Sequence, residues 1–144
     1  MKKATLAEAK RFTLDDPVRS EIDAYFKVTK NREMYYTGTR DKPHAVLCVA
    51  YGDTIPTTIE ELKNLKYGDI AVFYTVWTYG IVPRAGRNIV IGMWSMLKER
   101  GTCRRYVTMS PKTHIARKFH LRNGAVLIAE NKETNNFEYL DRLP

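Results

Sequence analysis

Nine consecutive residues, Ile70 to Thr78, read IAVFYTVWT, apolar almost throughout and rich in β-branched and aromatic side chains. A strand of that composition belongs where both faces are covered, so the rest of the chain has to supply a layer on each side of it. Gly80 to Gly86 reads as a loop, and Ile89, Val90, Met93, Trp94 and Leu97 then recur at helical spacing up to a stop at Gly101. Tyr106, Val107 and Met109 predict a short strand closed by Ser110-Pro111, whose hydroxyl and proline suit a helix start near Pro111 or Thr113. That helix runs to Gly124, with Ile115, Ala116 and Phe119 expected to pack and Lys112, Arg117, Lys118 and Arg122 pointing elsewhere. Val126 to Asn131 and Asn136 to Leu140 predict a closing hairpin across Lys132-Glu133-Thr134-Asn135.

The first half has its own signals. Leu6 to Phe12 reads as a short helix, and Asp16-Pro17 breaks the chain. Ile22, Ala24, Phe26 and Val28 alternate with polar or amphipathic residues, which argues for a strand, with a helix from Pro17 to Lys27 as the rival. Arg32 to Thr39 and His44 to Tyr51 predict a hairpin across Arg40-Asp41-Lys42-Pro43. Thr57 or Thr58, followed by Glu60 and Glu61, resembles a capping box opening a helix to Leu65. At 144 residues, with no repeat or linker, one domain is expected: an N-terminal segment 1–30, a hairpin 32–51 and a core 69–140. Tyr74, Trp77, Tyr79 and Trp94 fit core packing better than a base-stacking surface.

The formal charge of +8 is concentrated between Lys98 and Arg122, where Lys98, Arg100, Arg104, Arg105, Lys112, Arg117, Lys118 and Arg122 face Glu99 alone. Phosphates of a nucleotide cofactor, nucleic acid and an acidic protein all satisfy such a field, as does plain solvent. No window approaches the roughly 20 apolar residues of a membrane span, and the start MKKATLAEAKRF is amphipathic rather than a signal sequence, so a cytoplasmic protein with no membrane partner is expected. Cys48 and Cys103 read as reduced thiols. His114 and His120, six apart on a helix, do not share a face, and no metal site is expected.

A strand-helix-strand unit implies a right-handed crossover with ligands at the carboxyl ends of its strands. The loop from Val82 to Asn88 lies there. Its Ala85 and Gly86 allow close backbone approach, and Arg84 and Arg87 add guanidiniums, a pyrophosphate seat as readily as a surface loop.

From about His44 to Leu140 the chain resembles the GNAT superfamily of N-acetyltransferases. The family's phosphate loop, Q/R-x-x-G-x-G/A, would end at Gly86, with Ile81 and Arg84 standing where the Gln or Arg and the first Gly belong. Its late motif falls on Thr113, Ala116, His120, Gly124 and Ala125, of which Ala116 and Gly124 match. The resemblance implies an α+β domain whose central mixed, mostly antiparallel sheet contains a splayed parallel strand pair and is flanked by helices. It implies acetyl-coenzyme A as cofactor, an amine acceptor, and direct transfer without a covalent enzyme intermediate. Val76 would offer backbone groups to the pantetheine arm, Arg84, Ala85, Gly86, Arg87 and Thr113 would hold the cofactor, and His120, in place of the family's tyrosine, would protonate the leaving thiolate. Glu60, Asp53 and His44 are candidates for the general base. A second resemblance, to small acetyltransferase-like proteins of tailed bacteriophages, implies an alternative: a non-catalytic fold serving in a virion, or binding host protein or nucleic acid through the basic face.

Overall fold

A computed structural model of the chain describes residues 1–140. Its strands and helices in chain order are β1 (Lys2–Lys3), α1 (Leu6–Thr13), α2 (Ala24–Val28), β2 (Arg32–Gly38), β3 (Pro43–Gly52), α3 (Ile59–Lys63), β4 (Ile70–Thr78), α4 (Ala85–Arg100), β5 (Arg105–Thr108), β6 (Ser110–Pro111), α5 (His114–Arg122), β7 (Val126–Glu130) and β8 (Thr134–Tyr139). All eight strands form one sheet in which β1 to β4 pair in order, each antiparallel to the next. β4 and β5 are the parallel pair, and β8 lies antiparallel between β7 on one side and β5 and then β6 on the other. This is the mixed, mostly antiparallel sheet that the resemblance implies.

β4 is buried from Ile70 to Thr75, as its composition demands. One face packs on α1 to α3 through Ala9, Phe12, Ile22 and Leu62, the other on α4 through Ile89, Val90, Met93 and Leu97. Helix starts follow the capping rules: Thr5 and Glu8 form a reciprocal box on α1, and Thr58 accepts from the Glu61 amide on α3. The Glu61 carboxylate reaches back to Thr57 rather than to the cap.

Four local expectations fail. Residues 24–28 form a helix, not a strand: the Asp23 side chain accepts from the Phe26 amide, and Lys27, read as an outward position, is fully buried. Ser110 and Pro111 form a strand paired with β8, and Thr113 caps α5. Ile115, expected to pack, is 82% exposed, while His120 is the buried residue of that helix. The last strand also starts two residues earlier than the hydrophobic pattern suggests, because Thr134 and Asn135 are buried polar residues paired with β6.

Candidate functional site

The parallel pair holds together only from Ile70 to Phe73, opposite Arg105 to Thr108. One more bond follows, from the Met109 amide to the Phe73 carbonyl at 3.1 Å, and then the strands part. β4 continues to Thr78 while the chain after Met109 turns to β8, so residues 74–78 keep β3 on one edge and lose a strand neighbour on the other. A bulge adds to the divergence: the register slips between Cys48 and Val49, leaving Tyr74 without a partner on β3. Tyr74 and Thr75 thus serve the same side, Tyr74 in the core beneath α1 and α2 and Thr75 through a 3.1 Å bond to Asp16.

The gap is a cavity of about 230 Å³ bounded by Phe73 to Thr78, by Met109 to Pro111, and by Ile115, Ala116, Phe119 and His120 of α5, with Val18 over one end. Among the described residues no aspartate or glutamate lines it. Its neighbour, about 750 Å³, is lined by Val82, Arg84, Ala85, Gly86, Arg87, Arg122 and Asn123. Thr78, Gly86 and Phe119 belong to both walls. An apolar slot therefore leads past Gly86 into a cationic basin.

The basin is built on the start of α4. Arg84 sits in the left-handed region at φ 61°, a backbone shape that glycine adopts without strain. The first intrahelical bond to a cap carbonyl is Asn88 N to Arg84 O, which leaves the amides of Ala85, Gly86 and Arg87 at the positive end of a sixteen-residue helix. A Cβ on Gly86 would stand 3.0 Å from Phe119 Cε1 and 3.3 Å from Thr78 Cγ2, so glycine is what lets α4 approach α5 and β4 here. Arg122 and Asn123 come from the far end of α5. Asn123 is 3% exposed, its Oδ1 accepts from Arg87 at 3.4 Å, and its Nδ2 is buried with no partner. Three guanidiniums, a helix start and an unsatisfied amide donor fit a pyrophosphate.

At the slot, the His120 imidazole lies 2.8 Å from the Tyr139 hydroxyl through Nδ1, with Phe119 and Phe137 against its ring. Burial pushes its pKa down to about 4, so the ring is neutral near pH 7. Burial likewise pushes the Tyr139 hydroxyl up, keeping its proton. Ser110 Oγ donates to Thr108 Oγ1 at 2.8 Å, leaving its own lone pairs toward the slot.

Of the residues expected from sequence, His120 and Val76 line the slot, Arg84, Ala85 and Arg87 line the basin, and Gly86 lines both. Thr113 lines neither; its hydroxyl accepts from the Ala116 amide. Glu60, Asp53 and His44 also lie outside both cavities. Sequence reasoning missed Ser110 as a lining residue, along with Arg122 and Asn123, which only the packing of α5 on α4 brings to the basin.

The sequence matches no protein-family model and no curated protein. Solved structures share the fold. A malonyl-CoA decarboxylase from Agrobacterium vitis superposes with a TM-score of 0.80 at 14% identity, over 99% of this chain and 60% of that one. This chain thus spans about three-fifths of its length. An acetyltransferase of the GNAT family from Desulfovibrio desulfuricans gives 0.67 at 10% identity, over 96% of each chain. The PaiA N-acetyltransferase from Thermoplasma acidophilum, in complex with coenzyme A, gives 0.56 at 7% identity, over 75% of this chain and 60% of that one. At these identities the likeness is one of fold.

Proposed function

We propose that the chain binds acyl-coenzyme A along the slot and basin and transfers the acyl group to an amine. The observation that carries this reading is the parting of β4 and β5 beyond Phe73, directly beside a cationic helix start. The loose edge of β4 around Val76 is open to an extended ligand such as a pantetheine arm, which would bind as an added strand does. Arg84, Arg87 and Arg122 with the amides of Ala85, Gly86 and Arg87 would hold the phosphates. The thioester supplies an acyl group already activated for transfer.

The chain's own part is orientation and proton handling. Backbone amides of β4 beyond Phe73, on the edge that β5 leaves, would offer oriented dipoles for a carbonyl oxygen. With Tyr139 donating to Nδ1, His120 carries its proton on Nε2, where it serves as a donor to a leaving sulfur. Among the described residues no carboxylate lines the slot, so the acceptor amine would lose its proton to water or to a group brought with it.

That same lack favours a second reading, decarboxylation of a malonyl thioester. Such a reaction needs no base: an apolar slot, a polarised carbonyl and a proton donor suffice, and His120 would supply that polar hydrogen while Ser110 presents an acceptor oxygen in the wall. The superposition on the Agrobacterium vitis malonyl-CoA decarboxylase, over 99% of this chain, supports it.

Free thiol release decides between the two. The transferase reading expects coenzyme A from acetyl-coenzyme A only when an amine is added. The decarboxylase reading expects acetyl-coenzyme A and carbon dioxide from malonyl-coenzyme A with no acceptor. Neither product, together with no rise in melting temperature in millimolar coenzyme A, ends both.

A further inference from the structure

Lys30 and Arg84 are the two residues other than glycine with a positive φ among the described residues, at 57° and 61°. Both are long cations, without the short polar side chain that eases Asn or Asp into that region. Each lines a cavity. Arg84 borders the phosphate basin; Lys30 borders a third cavity of about 270 Å³ at the opposite end of β4, between the α2–β2 turn, the end of β3 and the segment after α4. Backbone strain that a glycine would relieve is held at a cation in both places.

The third cavity carries Lys3, Lys30, Arg32 and Arg100 against one carboxylate, Glu33. Arg32 is committed: its nitrogens donate to Phe26 O, Asn31 Oδ1 and Thr29 Oγ1, and its guanidinium lies over the Phe26 ring. Glu33 is shared among Lys3 at 3.0 Å, Arg100 at 3.6 Å and the hydroxyls of Tyr35 and Tyr51. One negative charge is thus divided between two cations and two phenols, and Lys30 makes none of the ion pairs seen among the described residues. The lining is under-neutralised, and the volume excludes anything as large as coenzyme A.

We propose that this cavity is a second anion site, separate from the acyl-thioester groove, which takes a compact multivalent oxyanion, a phosphate or a polycarboxylate. Lys30 is the primary ligand, held over the cavity by its left-handed backbone, while Lys3 and Arg100 turn part of their field from Glu33 to the guest. The hydroxyl of Thr102 stands in the same wall.

The test is the melting temperature of the full chain in potassium chloride, and in inorganic phosphate or citrate at equal ionic strength, for the wild type, Lys30→Gly and Arg122→Ala. Lys30→Gly is expected to fold at least as well as the wild type, because glycine suits φ 57°. A rise of several degrees over chloride is expected for the wild type in at least one anion. That rise should fall sharply in Lys30→Gly and persist in Arg122→Ala, which removes one of the basin's three guanidiniums and leaves this cavity untouched. A rise in phosphate alone assigns a phosphate ligand, and one in citrate alone a polycarboxylate. Any other pattern overturns the inference, including no rise in the wild type, an undiminished rise in Lys30→Gly, or loss in Arg122→Ala.

Discussion

His120 and Tyr139 meet through a 2.8 Å hydrogen bond between Nδ1 and Oη, where α5 packs on the last strand. Burial lowers the imidazole pKa from 6.5 to about 4, so the folded chain binds this proton less tightly than the unfolded chain. The stability that the neutral ring contributes is therefore complete above about pH 6.5 and is lost as the pH falls from there toward 4. The loss amounts to about 3 kcal/mol at most. Urea unfolding at pH 7 and pH 4.5 checks it: the difference between the two pH values should shrink by a large part of that amount in His120→Leu. An equal difference in both proteins would mean that other groups carry the acid sensitivity.

Tyr139→Phe separates proton handling from packing. The variant keeps the ring against Phe73 and His120 but removes the hydroxyl that fixes the imidazole tautomer. Turnover is expected to fall roughly tenfold, the worth of one hydrogen bond of about 1–1.5 kcal/mol, with coenzyme A affinity unchanged. Measuring kcat alongside the dissociation constant tests this; a loss confined to affinity would contradict it.

Much of the frame was legible in local pattern. The bounds of β4, the hairpin of β2 and β3, the stop of α4 at Gly101 and the late helix all follow from apolar runs, caps and glycines that act within a few residues. What escaped depends on partners far away in sequence. Lys27 looked like a polar position of a strand because nothing nearby announces that Asp16 will bury it. Ile115 fell on the apolar face of α5, yet that side borders an open slot rather than core. Arg122 and Asn123 carry no motif, and they reach the basin only because Gly86 allows α4 and α5 to close up. Arg84 is the reverse case: nothing in its residue type announces the left-handed backbone that it adopts at φ 61°.

The buried pair of Asp16 and Lys27 ties the α1–α2 loop to the bulged strand. Lys27 Nζ is 2.8 Å from Asp16 Oδ2, both side chains are fully buried, and Asp16 Oδ1 also accepts from the amides of Val18 and Arg19 and from Thr75. Lys27→Met should cost roughly 3–5 kcal/mol, because a buried carboxylate loses the ammonium bonded to it. The double change with Asp16→Asn should cost clearly less than the sum of the single changes. Denaturant titration of the four proteins measures the coupling, and simple additivity would count against a functional pair.

Gly86→Val should damage ligand binding and the fold together. The new Cβ meets the Phe119 ring at 3.0 Å and Thr78 Cγ2 at 3.3 Å. Phe119 can shift only into the slot or the basin, since it lines both. A destabilisation of about 1–3 kcal/mol is expected from overpacking. Coenzyme A should no longer raise the melting temperature even where the variant is fully folded. Retained ligand stabilisation would place the cofactor elsewhere.

Arg84→Gly sets backbone strain against charge at the basin. Arg84 holds φ 61° without a side-chain hydrogen bond to the helix start, so glycine should raise apo stability by about 1 kcal/mol. The same change removes one of three guanidiniums around the amides of Ala85, Gly86 and Arg87, which should weaken coenzyme A about tenfold and lessen the salt dependence of binding. Apo melting and isothermal titration at two salt concentrations read the two effects separately. A variant that is more stable and binds equally well would mean that backbone amides alone grip the phosphates. One that is less stable would mean that Arg84 is held by contacts outweighing its strain.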